Sequence, residues 1–274
     1  MDPALRAFAE LLQAPDAEVD LALAALDVAR IEHPRLVPER ELPRLDDLAR
    51  RSGARELPTE RLRLDRLRCF LFEEEGFRGN ADDYYDPKNS CLNDVLDRKL
   101  GIPITLSVLM MEVGRRVGLR IAGAGIPGHF MVVAEVGTVP QLLDPFNGGV
   151  VVTSEEAGEV ASRAVGRPLR LTESHLQPVS KREVVERMLR NLKRVYVQRE
   201  AWEKALAVID RLLLLAAPAP VHLRDRGTVL MKLGEFHRGA AEWERYLTRY
   251  PHATDADRLR GQLKRVREAL ASLN

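Results

Sequence analysis

The sequence predicts a predominantly helical α+β protein with one small antiparallel sheet and a helical array at its C-terminal end. Three observations predict it. Apolar residues recur at three- and four-residue steps through most of the chain, which places them on one face of a helix. That period breaks at two short apolar runs, GHFMVVAEV and QLLDPF, on either side of a Gly-Thr-Val-Pro turn, and both read as strands. From Lys181 onward a helical pattern repeats at a 34-residue offset, pairing Trp202 with Phe236, Ala205 with Gly239 and Leu213 with Leu247.

Bulk properties narrow the function classes. A chain of 274 residues, 45% hydrophobic and 30% charged, can bury an ample core and is not disordered. A net charge of +1 without a basic stripe argues against a nucleic-acid partner. No apolar run reaches membrane-spanning length, and MDPALRAFAELL lacks a signal-peptide core, so the expectation is a cytoplasmic protein without a membrane partner. Two cysteines make no disulfide framework. The six histidines lack ligand spacing and no nucleotide-type glycine pattern occurs, so neither a metal nor a cofactor is expected.

Residues 1–78 read as helical. Leu5, Phe8, Ala9 and Leu12 form one stripe, and a second helix runs from an Asp16 N-cap to Ile31. Pro34 and Pro38 break the pattern before a short helix from Leu42 to Arg51. A further helix after Pro58 turns Leu62, Leu67, Phe70 and Leu71 to the core, with Cys69 as a buried packing residue. Gly76 to Ser90 is a turn-forming segment. Its Asp82, Asp83 and Asp86 lack the spacing of a calcium loop, and Tyr84 and Tyr85 are rim-packing groups. Ser90 then caps a helix to Lys99, which places Cys91 where a helix start favours a thiolate.

The stretch Gly101–Gly149 organises the rest. Leu106, Leu109, Met110, Val113 and Val117 make a helix, with Thr105 as N-cap and Gly118 as its stop. If the two strands pair about Val136 and Gly137, His129 lies opposite Asp144. An imidazole oriented by a carboxylate is the rear half of a nucleophile–base–orienter triad. Candidate nucleophiles are Cys91, Thr105 and Ser107, and each also has a structural reading as a packing residue, a cap or a bonded helix hydroxyl. The glycines at 123, 125 and 128 let backbone approach a cleft closely.

Helix, GHF strand and LLDP strand together resemble the transglutaminase-like core of the papain-like cysteine enzymes. The wording YYDPKNSCLNDVLDRKLGIPITLSVLMMEVGRRVGL, GIPGHFMVV and LLDPFNGG closely resembles a bacterial SirB-type family that joins such a core to tetratricopeptide repeats. The resemblance implies three parts: an N-terminal helical region (1–78), a transglutaminase-like core (79–178) and a tetratricopeptide-type array (179–274). It also implies a nucleophilic cysteine near Pro103 to Thr105, where this chain has none, and an aromatic residue where this chain has Cys91.

Ser154 to Val165 reads as a polar helix, PLRLTES as a loop strand, and Leu176 to Pro178 as a hinge-like link. Helical hairpins follow, with Trp202 and Phe236 packing between helices, and a final helix from Thr254 to Leu273. The expected function is a regulatory protein- or peptide-binding module with a degenerate catalytic site. The alternative is an acyl-transfer or peptidase-type enzyme using Cys91, Thr105 or Ser107 with His129 and Asp144.

Overall fold

The structure, a computed structural model, describes residues 3–215 and 219–272. Its elements begin with α1 (Pro3–Leu11), α2 (Leu21–Ala29), α3 (Pro38–Ser52) and α4 (Glu60–Arg68). Then come β1 (Arg78–Gly79), α5 (Leu92–Arg98), β2 (Leu100–Gly101), α6 (Pro103–Arg116), β3 (Ile121–Ala124), β4 (Met131–Ala134), β5 (Gln141–Asp144) and β6 (Val150–Val152). The chain continues through α7 (Ser154–Val165), α8 (Glu173–Leu176), β7 (Pro178–Val179) and α9 (Lys181–Gln198). It ends in α10 (Trp202–Leu212), α11 (Pro220–Lys232), α12 (Phe236–Arg249) and α13 (Ala256–Ala271). Two compact units result, one of residues 11–188 and one of residues up to Glu10 with those from Leu189 onward.

In the first unit α6 is apolar on nearly every side, so it is buried rather than amphipathic. Leu106, Val108, Leu109, Met110 and Val113 have no exposure, and each buried side chain of this size contributes about 1.5–3 kcal/mol. The helix starts at Pro103, where a missing N–H costs nothing, and stops before Gly118 at φ +80°. Beside it lies an antiparallel sheet in the order β6-β5-β4-β3-β7. Here β3, β6 and β7 extend the two expected strands, and β7 occupies the stretch expected to be a hinge. PLRLTES is not a strand; its end opens α8. Ala157 and Ala161 of α7 pack against Ala124, Ile126, Met131 and Val133 of the sheet region.

Several local expectations are corrected by hydrogen-bond partners. Asp20, not Asp16, caps α2 by accepting from Leu23 N–H at 3.0 Å. Asp16 instead accepts from the amides of Lys181 and Arg182 at the start of α9. The third helix begins at Pro38 because proline is preorganised for a first helical position. Leu62 is 47% exposed, and Leu64 takes the inward place. Cys69 is half-buried rather than buried; partial burial and the neighbouring Glu73 and Glu74 carboxylates push its thiol pKa up. Cys91, not Ser90, holds the N-cap position of α5.

The irregular segment before α5 is organised by Asn89, which has no exposure. Its side-chain amide donates to the carbonyls of Asp83 (2.7 Å) and Tyr84 (3.3 Å). Its Oδ1 accepts from Asn80 (3.0 Å), and its own carbonyl accepts from the Thr105 hydroxyl (2.6 Å). Asp86 pairs with Arg98 at 2.8 Å.

In the second unit, helical hairpins stack through small residues. A Cβ at Gly227 would meet the Trp243 indole at 2.4 Å, so glycine sets the close approach of α11 and α12. Trp243, Tyr246 and Leu247 of α12 pack with Ala256, Leu259 and Leu263 of α13. Phe236 is 47% exposed, contrary to the expectation that it packs between helices, and Trp202 is half-buried with the Lys232 ammonium over its ring.

Candidate functional site

His129 stands just ahead of β4, and its N–H donates to the Ile126 carbonyl at 3.1 Å. The turn before it needs Gly128 twice over: φ is +72°, and a Cβ there would lie 2.8 Å from that of Ala164. Arg187 of α9 donates to the carbonyls of Ile126 (2.7 Å) and His129 and lies over the Phe130 ring. Phe130 in turn lies over Gly123, where a Cβ would come within 2.5 Å of the ring.

The His129 Nε2 lies 3.0 Å from both carboxylate oxygens of Asp144. The assumed register was not the route. Pairing of Val132 with Leu143 and Val133 with Leu142 puts Asp144 across from Met131, two positions from His129. Because side chains alternate with period two, a slip of two preserves the face, whereas a slip of one would reverse it.

Asp144 also accepts from the backbone amides of Phe146 (3.1 Å) and Asn147 (3.3 Å) and from the Asn147 side chain (2.8 Å). Burial pushes its pKa up, but the hydrogen bond and charge of His129 and the Asn147 bonds outweigh that and hold it below the usual value. An ionised carboxylate only accepts, so Nε2 is the donor in this pair. Both residues are buried, His129 at 8% and Asp144 at 1% exposure. The Phe146 ring stands edge-on to the imidazole at 6.0 Å, Tyr84 packs on Phe146, and Gly79 lies beneath that ring.

The three candidate nucleophiles are placed as follows. Thr105 is not the N-cap of α6; it is the third helical residue, and Ile102 holds the cap. Its hydroxyl donates to Asn89 and accepts from Ile102 N–H at 3.1 Å, the reach-back half of a capping box. Ser107 has no exposure, and its hydroxyl has no hydrogen-bond partner among the described residues. Cys91 has no exposure and lies 3.5 Å from the Pro87 carbonyl. Its sulfur groups with His33 and Asp94, all ligating atoms within 4.8 Å of one another. Cys91 forms no such cluster with His129 and Asp144.

Sequence reasoning missed Asn147, Phe146, Arg187 and His33. The turn Asp-Pro-Phe-Asn carries a signal for Asn147. Nothing local marks Arg187, which reaches across 58 residues to His129.

A family model described as the transglutaminase-like superfamily matches residues 39–190. This chain belongs to the transglutaminase-like superfamily. A tetratricopeptide-repeat model matches residues 192–264 of this transglutaminase-like protein. It is 38% identical over 259 residues to a UPF0162 protein of Xylella fastidiosa (strain Temecula1), covering 90% of each chain. A UPF0162 protein of Pseudomonas aeruginosa is 31% identical over 198 residues, covering 72% of this chain and 71% of its own. Human F-box only protein 21 is 29% identical over 137 residues, covering 47% of this chain and 21% of its own. No solved structure matches. No helix among the described residues of this transglutaminase-like protein is long and apolar enough to cross a membrane.

Proposed function

We propose that this transglutaminase-like protein is a regulatory protein- or peptide-binding module with a degenerate catalytic site. Residues 11–78 form one unit with the core (79–178), and the array supplies a second protein-binding surface. The observation that carries the reading is the Thr105 hydroxyl. It stands at the helix start where a transglutaminase-like enzyme keeps its thiol, and its proton is taken up within the fold by the Asn89 carbonyl at 2.6 Å, with the Ile102 carbonyl at 3.1 Å. The His129–Asp144 pair then acts as a strut that orders the Asp144–Gly149 turn. A groove of about 1240 Å³ along α7, lined by Ser154, Gly158, Ser162, Leu169 and Leu171, suits an extended peptide. Tetratricopeptide-type repeats suit a protein partner.

The second reading, an acyl-transfer or peptidase-type enzyme using Cys91, Thr105 or Ser107, draws on the His129–Asp144 geometry, in which a carboxylate orients an imidazole through Nε2. One experiment separates the two. The purified protein is incubated with activated acyl esters and glutamine-containing peptides and followed by intact mass. The binding reading expects no covalent adduct, with saturable peptide binding unaltered by Cys91→Ser. An adduct on any of the three residues that vanishes in His129→Ala would establish the enzyme.

A further inference from the structure

We propose that His33, Cys91 and Asp94 form a binding site for one zinc ion. The inference shares no residue with the His129–Asp144 pair and does not rest on the function proposed above.

Three donors of different kinds converge. The His33 Nε2 lies 2.6 Å from Asp94 Oδ2, and the Cys91 sulfur completes a set whose atoms all lie within 4.8 Å of one another. It is the one such set of His, Cys and acidic side chains among the described residues. Zinc bonded at about 2.0–2.3 Å holds tetrahedral ligands roughly 3.3–3.7 Å apart. The His–Asp edge therefore opens by less than about 1 Å, and the sulfur edges, each at most 4.8 Å, close by no more than about 1.5 Å, a rotamer-scale adjustment.

The backbone holds the donors in place. Cys91 and Asp94 are three residues apart at the start of α5, so one helical turn fixes their separation. The Cys91 N–H donates to the Lys88 carbonyl at 3.2 Å, and its carbonyl accepts from Val95 at 3.0 Å. On the opposite side, the His33 N–H donates to the Ala29 carbonyl and its carbonyl accepts from Leu36, both at 2.9 Å. The burial is graded. Cys91 has no exposure, whereas the His33 side chain is 33% exposed. An ion can enter from the imidazole side, where water supplies a fourth ligand.

The donor set selects the ion. Thiolate and imidazole favour zinc and its first-row neighbours, while calcium and magnesium require all-oxygen sites. Binding forms S–Zn, N–Zn and O–Zn bonds, and the thiol proton and any proton on His33 Nε2 pass to solvent. No electron is transferred. The site escapes a spacing search because His33 and Asp94 stand 61 residues apart.

Cobalt(II) titration of the full chain after chelator dialysis tests the proposal. The expected result is a single saturable equivalent, with a thiolate-to-cobalt band in the near ultraviolet and tetrahedral d–d bands, all displaced by zinc. Cys91→Ser abolishes the near-ultraviolet band, His33→Gln weakens binding by about tenfold or more, and Cys69→Ser leaves both unchanged. Far-ultraviolet circular dichroism checks folding. If Cys91→Ser does not fold, the partly exposed His33→Gln decides. Absence of a saturable thiolate band in the wild type, or wild-type affinity in His33→Gln, overturns the site and leaves a histidine–aspartate hydrogen bond beside a packed cysteine.

Discussion

The carboxylate of Asp16 accepts from the backbone amide of Lys181 at 3.0 Å, capping a helix that begins 165 residues later. It also accepts from the Arg182 amide at 3.1 Å, and the Ser180 hydroxyl accepts from Glu183 N–H at 3.2 Å. The first three orphan donors of α9 are thereby satisfied. Asp16→Ala should lower stability by about 1 kcal/mol, within the range for lost N-caps. Urea denaturation reads this directly, and an unchanged midpoint would remove Asp16 from the account of α9.

Thr105 and Ser107 make a matched contrast on one buried helix. Thr105→Val removes the 2.6 Å donor to the Asn89 carbonyl, which keeps only the Ile102 N–H at 3.4 Å, and should cost about 0.5–1.5 kcal/mol. Ser107→Ala deletes a buried hydroxyl that has no partner among the described residues and should be neutral or stabilising by up to about 1 kcal/mol. Thermal melts of the two variants give the comparison. Equal losses would contradict the difference in bonding.

His222, buried on α11, has its pKa pushed down to about 4 by burial and by the charges of Lys193 and Arg190. In the unfolded chain it titrates near 6.5. Between those values the unfolded chain binds more protons, so the stability present above about pH 6.5 is lost as pH falls toward 4. Relative to His222→Gln, the wild type should lose stability as pH falls from about 6.5 toward 4, whichever of the two is the more stable at pH 7. A constant offset between the two across that window would mean His222 is not protonated on unfolding.

Gly79 lies under the Phe146 ring, where a Cβ would come within 2.5 Å of ring carbons. Gly79→Ala should cost about 1–3 kcal/mol by forcing that ring aside. Combined with Phe146→Leu it should cost less than the sum of the single changes, because the clash is shared. Strict additivity in a double-mutant cycle would place the strain elsewhere.

The sequence announces the elements whose signals are local. The period of α6, the stop at Gly118 and the span of α7 all follow from side chains within a turn or two of one another. Helix starts are less legible, because several residues near each start can cap and tertiary partners choose among them, as Asp16 and Asp20 illustrate. At the site, the assumed hairpin brings His129 and Asp144 together even with its register displaced, since the face survives a shift of two. Arg187 and His33 are hidden because their partners are supplied by distant segments.

Asn89 carries a consequence for sequence tolerance. Its amide nitrogen donates twice and its amide oxygen accepts once, all without exposure to water. Aspartate matches the shape but lacks both donors, glutamine matches the chemistry but is a methylene too long, and serine reaches neither carbonyl. Here the constraint comes from an irregular segment rather than from a reacting group. An invariant asparagine at this point would therefore record the architecture of a loop, and reading it as a trace of catalysis would mistake the cause.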